Sequence, residues 1–580
     1  MRTPWWAGMS LAIATFPVCA SPPALDCTAL TSAVIEDTQI TLAVLNPAAG
    51  TTPEHCEVVG AINQRISRVD GQTYAIKFHL RLPTSWNQRF FYTGGGGTDG
   101  SLGSALTPQL NQGYAVVSTD SGHDNAVNTS VVAGSFQFGF DPQARSDYGY
   151  NGPAEVTLKA KALIKKYYGA KPKYSYFVGC SEGGREALML SQRYPDFFDG
   201  IVSGNPGMDL AKAAVAHPWD AQAFARAART TTPFGNPDLA SAFTSAELAA
   251  VGAAILEECD AKDGLIDGMV LNPQACEFDP ATLGPEGSGV LSQAQVTALE
   301  QSFAGPRNSR GRQLYADWMW DPGIAAPGWR QWKIGPLFPG FPIPGNSALI
   351  VTLGGGALPF IFTTPPNSST AGTDLAPPNA GIVTSSPLGP GTAGFGDAYM
   401  PWLLSFNMDH DAPQIFARTR VYRESAMDFM FSSGTDYRKF RAKGNKLIVY
   451  TGSADPVFSA NYHLKWYRKL VAQNDGLERT QKFARLFIVP GMNHCGGGPS
   501  TSQFDAFAAL VDWVENRQAP DRIVATAPAG TPWPGRTRPL CPYPQIARYK
   551  DSGDIEAAAN FECRAEREHH HHQHKHDHDD

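Results

Sequence analysis

The pentapeptide Gly179-Cys180-Ser181-Glu182-Gly183 lies between an apolar β-type run, Tyr174 to Val178 (YSYFV), and a stretch from Glu182 to Tyr194 with helical spacing, which Pro195 ends. A G-x-S-x-G pattern alone is a weak signal. Between a strand and a helix it requires a turn so tight that only small residues fit around the central serine, whose oxygen is then raised above the edge of a sheet. The helix presents free N–H groups at its N-terminus, where negative charge is stabilised. A Gly-Ser turn without chemistry is the alternative, and the strand–turn–helix setting argues against it.

Other segments share this rhythm. Tyr74 to Pro83 alternates apolar and polar residues as a half-buried strand does, and Arg89 to Thr93 (RFFYT) and Tyr114 to Thr119 (YAVVST) read as buried strands. Ala154 to Tyr168 has an apolar face and a lysine-bearing outer face, and Gly200 to Ser203 begins another short strand. Strands alternating with helices predict an α/β fold, a parallel sheet with helices on both faces. From about Pro206 to Lys443 the rhythm is lost in a Gly/Pro/Ser/Thr-rich stretch, densest between Gly335 and Gly396. It returns at Lys446 to Tyr450 (KLIVY), Arg485 to Val489 (RLFIV) and a helix from Phe504 to Asn516. With 580 residues the chain is too long for one ordinary core. The expectation is an α/β-hydrolase fold made of residues 21–205 and 444–568, with a large lid domain, 206–443, inserted between the nucleophile and acid strands.

A serine hydroxyl attacks well only when a base takes its proton. In this fold class the chain order is serine, acid, histidine, each on a loop after a strand. Asp455 follows the strand Lys446–Tyr450 in Thr451-Gly-Ser-Ala-Asp, and His494 follows Arg485–Val489 in Pro490-Gly-Met-Asn-His. Of the 14 histidines, seven lie in the C-terminal tail. Among the rest, His123 and His410 are the main rivals, and neither follows the acid strand. Asp409 and Asp411 fall in the insertion and are weaker acids for the role. The expected catalytic set is therefore Ser181, Asp455 and His494. The run Gly94-Gly95-Gly96-Gly97 follows RFFYT and has the character of an oxyanion loop, glycine allowing backbone N–H groups to approach a developing oxyanion. The N–H groups of Gly97 and Glu182 are the expected donors. A phosphate loop is excluded because the G-K-[ST] ending is missing.

The first twenty residues read as an export signal: Arg2, the apolar run Trp5 to Val18, and a small-residue cleavage site at Val18-Cys19-Ala20. A lipid anchor at Cys19 is disfavoured by the bulky Val18. The expected location is secreted or periplasmic. Cleavage would leave eight cysteines, an even count that favours disulfides in an exported protein. Sequence proximity suggests Cys27–Cys56, Cys259–Cys276 and Cys541–Cys563, leaving Cys180 and Cys495, which flank Ser181 and His494; connectivity is not fixed by sequence. The net charge of −7, without a long basic run, points away from nucleic acid, and no later stretch is long and apolar enough to span a bilayer.

In the insertion, Asp260-Ala-Lys-Asp263-Gly-Leu-Ile-Asp267-Gly places three carboxylates within eight residues. Hard oxygen donors on a turning backbone suit Ca²⁺, and the carbonyls of Leu265 and Met269 could add ligands; a solvated acidic turn is the alternative. The tail from His569 to Asp580 could bind transition metals or be an unstructured end.

Six stretches, GCSEGGREALMLSQRYP, HDNAVN, FDPQAR, CDAKDGLIDG, ARLFIVPGMNHC and RTRPLCPYPQIARYK, resemble the tannase/feruloyl esterase family over nearly the whole mature chain. The resemblance implies a serine carboxylesterase with Ser181, Asp455 and His494 as triad, Gly97 and Glu182 as oxyanion donors, and the disulfide Cys180–Cys495. It also implies structural calcium at Asp260, Asp263, Leu265, Asp267 and Met269, and a small aromatic ester as substrate, of feruloyl, galloyl or terephthaloyl monoester type. Phe406 matches an aromatic that packs on the substrate ring. Where the terephthalate-monoester branch of the family has an arginine for the free carboxylate, this chain has Trp402, and Gly96 replaces a serine beside the oxyanion loop. An indole cannot pair bidentately with a carboxylate, so Trp402 suits an uncharged aromatic acyl group better. A peptidase on the same fold and a non-catalytic binding protein are the competing readings.

Overall fold

The structure, a computed structural model, describes residues 22–130, 133–336, 346–366 and 397–565. The export segment 1–20, the His/Asp-rich tail and much of the Gly335–Gly396 run lie outside the described residues.

Nine strands form one sheet: β1 (Thr38–Asn46), β2 (His55–Ile66), β3 (Thr73–Pro83), β4 (Arg89–Thr93), β5 (Ala115–Thr119), β6 (Tyr174–Cys180), β7 (Gly200–Gly204), β8 (Lys446–Gly452) and β9 (Ala484–Val489). Their spatial order is β1-β2-β3-β5-β4-β6-β7-β8-β9. The sheet is mixed, which corrects the expectation of a parallel one. The pairs β1/β2, β2/β3 and β3/β5 are antiparallel, and every pair from β5 to β9 is parallel. The antiparallel strands β1 and β2 were not anticipated: β1 is an edge strand in which only Ala43 is buried and carries little hydrophobic alternation, whereas β2 does alternate. β4, β6 and β7, by contrast, are nearly continuous apolar runs, as strands buried on both faces must be.

Helices cover both faces. α1 (Gly152–Tyr168), α2 (Glu182–Arg193) and α6 (Ala460–Gln473) share one core with Phe78, Phe90, Phe177 and Leu447. α7 (Ala506–Glu515) closes the other face against Phe91, Tyr176 and Phe487. Between β7 and β8 the chain is helical: α3 (Ala216–Ala227), α4 (Ser245–Cys259), α5 (Gln293–Ala304) and several single turns. Thr244/Glu247 and Ser292/Gln295 form capping boxes that start α4 and α5 by satisfying otherwise free N–H groups. The apolar cluster built by this insertion also takes in Phe136, Phe138 and Tyr148 from the chain before α1, so the two parts share a core. Arg145 fastens them together. Fully buried, it donates to Thr364 Oγ1 (3.0 Å) and to the carbonyls of Phe360 (3.0 Å) and Thr363 (2.9 Å). Burial pushes its guanidinium down to about 9.

Four disulfides join Cys27–Cys56, Cys180–Cys495, Cys259–Cys276 and Cys541–Cys563, the pairing expected from the sequence.

Candidate active site

Ser181 directly follows β6 and caps α2 with φ 65° and ψ −121°, a conformation that a non-glycine residue holds only when its surroundings impose it. The surroundings are close: a Cβ on Gly183 would stand 2.8 Å from the carbonyl oxygen of Gly95, so the turn and the glycine loop after β4 approach nearly to backbone contact. Ser181 N–H donates to Gly204 O at the end of β7, and its carbonyl accepts from Gly207 N–H, both at 3.0 Å. The serine is thereby held by the neighbouring strand and not by its own side chain.

Asp455 and His494 arrive on the loops after β8 and β9. Ser181 Oγ lies 2.8 Å from His494 Nε2, and His494 Nδ1 lies 2.9 Å from Asp455 Oδ2. The three residues, distant in sequence, meet at the C-terminal edge of the sheet. With Nδ1–H donating to the carboxylate, Nε2 is left to accept the serine proton. Burial alone would lift the Asp455 carboxyl. The charge and hydrogen bond of His494, the Asn205 amide (2.6 Å) and the Val457 N–H (2.9 Å) outweigh it and hold the group below the usual carboxylate range. His123 and His410 are elsewhere: His123 is buried and stacked on Phe138 at 3.7 Å, and His410 is exposed. His463 packs beneath the site between Thr451 Oγ1 and Pro206 O, both at 2.9 Å.

Gly97 (φ 64°) and Glu182 line one cleft with Ser181. Glu182 is the first residue of α2, so its N–H has no intrahelical acceptor. Behind the glycine loop lies a buried acid cluster that sequence reasoning did not reach. Gly95 N–H donates to Glu186 Oε2 (3.1 Å), and Ser121 Oγ bridges Glu186 Oε1 (3.1 Å) and Asp99. Arg185 donates to Glu182 (2.6 Å) and to the carbonyls of Gly149 and Tyr148. Burial pushes Glu182 up to about 7 against the pull of Arg185, and burial together with Glu186 raises Asp99 well above the usual range. The shared Ser121 hydroxyl suits a pair that retains a proton.

The cleft is narrow, with a cavity of about 30 Å³, and its walls include Trp332, Leu353, Ala357, Phe362 and Phe458. Trp332 and Phe458 meet the His494 ring edge-on at 5.1 and 5.3 Å. Gly96 sits in the loop beside Gly97, with open space where a side chain would point. Trp402 and Phe406 contact each other at 5.2 Å, but neither is among the side chains lining this cleft; Phe406 is buried in the core of the insertion. Phe458, three residues after Asp455, could have been found from the sequence, because loops after parallel strands gather at one sheet edge.

In the acidic loop, Asp263 accepts from the N–H groups of Leu265 (3.1 Å) and Leu271 (2.7 Å), and Asp267 accepts from Met269 N–H (3.0 Å) and pairs with Arg538. Asp260 Oδ2 accepts from Gly268 N–H (2.7 Å), while its Oδ1 is buried without a partner. Burial, aided by Asp267 and Asp260, pushes Asp263 up to about 7 against two backbone donors. Among the described residues no group of three or more His, Cys, Asp or Glu side chains is arranged to hold a metal ion.

The family model described as tannase and feruloyl esterase matches residues 56–342 and 403–564. The chain belongs to the tannase and feruloyl esterase family. Mono(2-hydroxyethyl) terephthalate hydrolase of Piscinibacter sakaiensis is 43% identical over 554 residues, covering 89% of this chain and 86% of the relative. A probable feruloyl esterase of Arthroderma benhamiae is 26% identical, covering 89% and 88%. Among solved structures, feruloyl esterase B of Aspergillus oryzae superposes with TM-score 0.68 at 20% identity, covering 93% of this chain and 99% of that one, which shows a common fold. As a tannase-family member the chain is a carboxylic ester hydrolase.

Proposed function

We propose that this chain is an exported serine esterase of the α/β-hydrolase class that cleaves esters of small aromatic acids, feruloyl, galloyl or terephthaloyl monoester, through an acyl-enzyme. The observation that carries the reading is the unbroken relay Ser181–His494–Asp455, at 2.8 and 2.9 Å. His494 takes the serine proton as Oγ attacks the ester carbonyl. The N–H groups of Gly97 and Glu182 receive the oxyanion. His494 then gives the proton to the leaving alkoxide, and a water molecule, deprotonated by the same imidazole, releases the acid. The insertion acts as a lid over the acyl group, its apolar wall suiting an aromatic ring. Export is supported by the N-terminal pattern and the four disulfides, and no helix among the described residues is long and apolar enough to cross a membrane. Hydrolysis of methyl ferulate, methyl gallate and the mono(2-hydroxyethyl) ester of terephthalate by wild type and Ser181→Ala tests this. Equal rates for the two proteins would remove Ser181 from the chemistry.

For the loop Asp260–Met269 we propose bound Ca²⁺, held by Asp260, Asp263, Asp267 and the carbonyls of Leu265 and Met269. It would brace the insertion without touching the ester. Support comes from the donor chemistry: an unpartnered buried carboxylate oxygen beside a second carboxyl that burial leaves poorly ionised. Metal analysis of the purified protein, and a lower melting temperature in EDTA restored by Ca²⁺, are the expected results.

A further inference from the structure

The wall of the cleft is apolar around one buried imidazole. His217, in the first turn of α3, lines the cleft with Ser181 and Gly97 and is 6% exposed, and neither Nδ1 nor Nε2 has a hydrogen-bond partner. A buried polar group left unsatisfied is costly, so its presence beside a reactive serine calls for a partner that arrives from outside. Gly354 packs directly against the ring, where a Cβ would fall 1.7 Å from Nδ1, so the absence of a side chain at 354 is what lets the imidazole sit in the wall. Burial, reinforced by the nearby Lys333 ammonium, pushes the ring down to about 3, so it stays neutral. Lys333 is already committed to Asp220 at 2.5 Å, and no Lys or Arg is among the described residues lining the cleft.

We infer that His217 is the polar specificity contact of the cleft, selecting an ester that carries an uncharged hydroxyl over one that carries a second carboxylate. A neutral imidazole offers one N–H and one lone pair, and a hydroxyl can use either. A carboxylate could accept only the single N–H, would lose its hydration, and would meet no cation. The hydroxyl can belong to the acid's ring or to the alcohol; both put the same group against the imidazole. This inference rests on the esterase reading and refines its substrate class.

The test compares kcat/KM within two matched pairs: methyl 4-hydroxybenzoate against methyl benzoate, and 2-hydroxyethyl benzoate against ethyl benzoate. Monomethyl terephthalate serves as the charged probe. In wild type, one pair shows a preference of about tenfold for the hydroxylated ester, which identifies the side of the substrate, and the charged ester is the poorest of the aromatic methyl esters. His217→Phe brings that ratio close to one, and His217→Gln, which keeps a donor and an acceptor, retains part of it. Ratios within twofold in both pairs for wild type, or an unchanged ratio in His217→Phe, overturn the inference. Should His217→Phe fail to fold by circular dichroism, the wild-type and His217→Gln ratios decide. Hydrolysis of every ester by Ser181→Ala at the wild-type rate would instead sink the serine reading, and this inference with it.

Discussion

Removing the Cys180–Cys495 bridge with the double variant Cys180→Ala/Cys495→Ala separates two consequences of one bond. The bond closes a span of 315 residues. Chain-entropy reasoning for a loop of that length gives roughly 19 cal/mol/K, or about 5–6 kcal/mol at 25 °C, lost from the unfolded ensemble when the bridge is present. It also ties the nucleophile turn to the base loop at the residues adjoining Ser181 and His494. Before His494 the base loop is held by Gly491 N–H to Ser453 Oγ (2.9 Å) and by the Asn493 amide to the carbonyls of Gly323 and Ala454 (both 3.1 Å), whereas after it Cys495 is left-handed (φ 61°) and Gly496, Gly497 and Gly498 follow with φ of 152°, 70° and 75°, so the bridge is the anchor on that side. Misplacing reacting groups by about 1 Å costs on the order of 100-fold in rate. The variant is therefore expected to lose several kcal/mol in urea unfolding, read by tryptophan fluorescence and circular dichroism with coincident transitions. It is also expected to lose between tenfold and 100-fold in kcat under conditions where it is fully folded. The double variant has no thiol at either position, so reduction chemistry does not confound the result. A loss of stability below about 1 kcal/mol would refute the loop-closure argument, and an unchanged kcat in the folded variant would refute the registry argument; each can fail without the other.

Asn205→Ala removes the 2.6 Å donor to Asp455 and should lower kcat about tenfold and stability by about 1–3 kcal/mol, since a buried carboxylate loses a hydrogen bond; steady-state kinetics and urea titration check both. Glu186→Ala should lower kcat about tenfold with KM nearly constant, because the Gly95 N–H it anchors shapes the oxyanion loop, and Glu186→Gln, which keeps a carbonyl acceptor, should recover most of the rate. His463 is held neutral, its pKa pushed down by burial to about 4 from about 6.5. The unfolded chain therefore takes up a proton that the folded one refuses as pH falls, and stability is lost through that window. The stability advantage of wild type over His463→Asn should shrink by about 3 kcal/mol between pH 7 and pH 4, and pH-independent unfolding differences would contradict it.

The chemistry of this site was legible in the sequence because each of its parts is local. Ser181, Asp455 and His494 each follow a short apolar strand, and parallel strands deliver the loops after them to one edge, so three readings of five to ten residues suffice to bring distant groups together. Asn205 follows the same rule, lying directly after β7, and was missed only because an asparagine there has no motif to mark it. The cleft wall is different in kind. Trp332, Leu353 and Phe362 come from short turns of the insertion, positioned by contacts such as Arg145 with Thr363 and Thr364 across 218 and 219 residues, which no periodicity encodes. The acid cluster behind the glycine loop is likewise a meeting of Asp99, Ser121 and Glu186 that only the folded sheet brings about. Selectivity therefore rests on the nonlocal half of the molecule, and substitutions in the insertion should move the ranking among esters far more than they move the pH dependence of the relay. A set of wall variants at Leu353 and Phe362, assayed against one neutral and one charged ester, would show the reverse only if the relay itself were what discriminates.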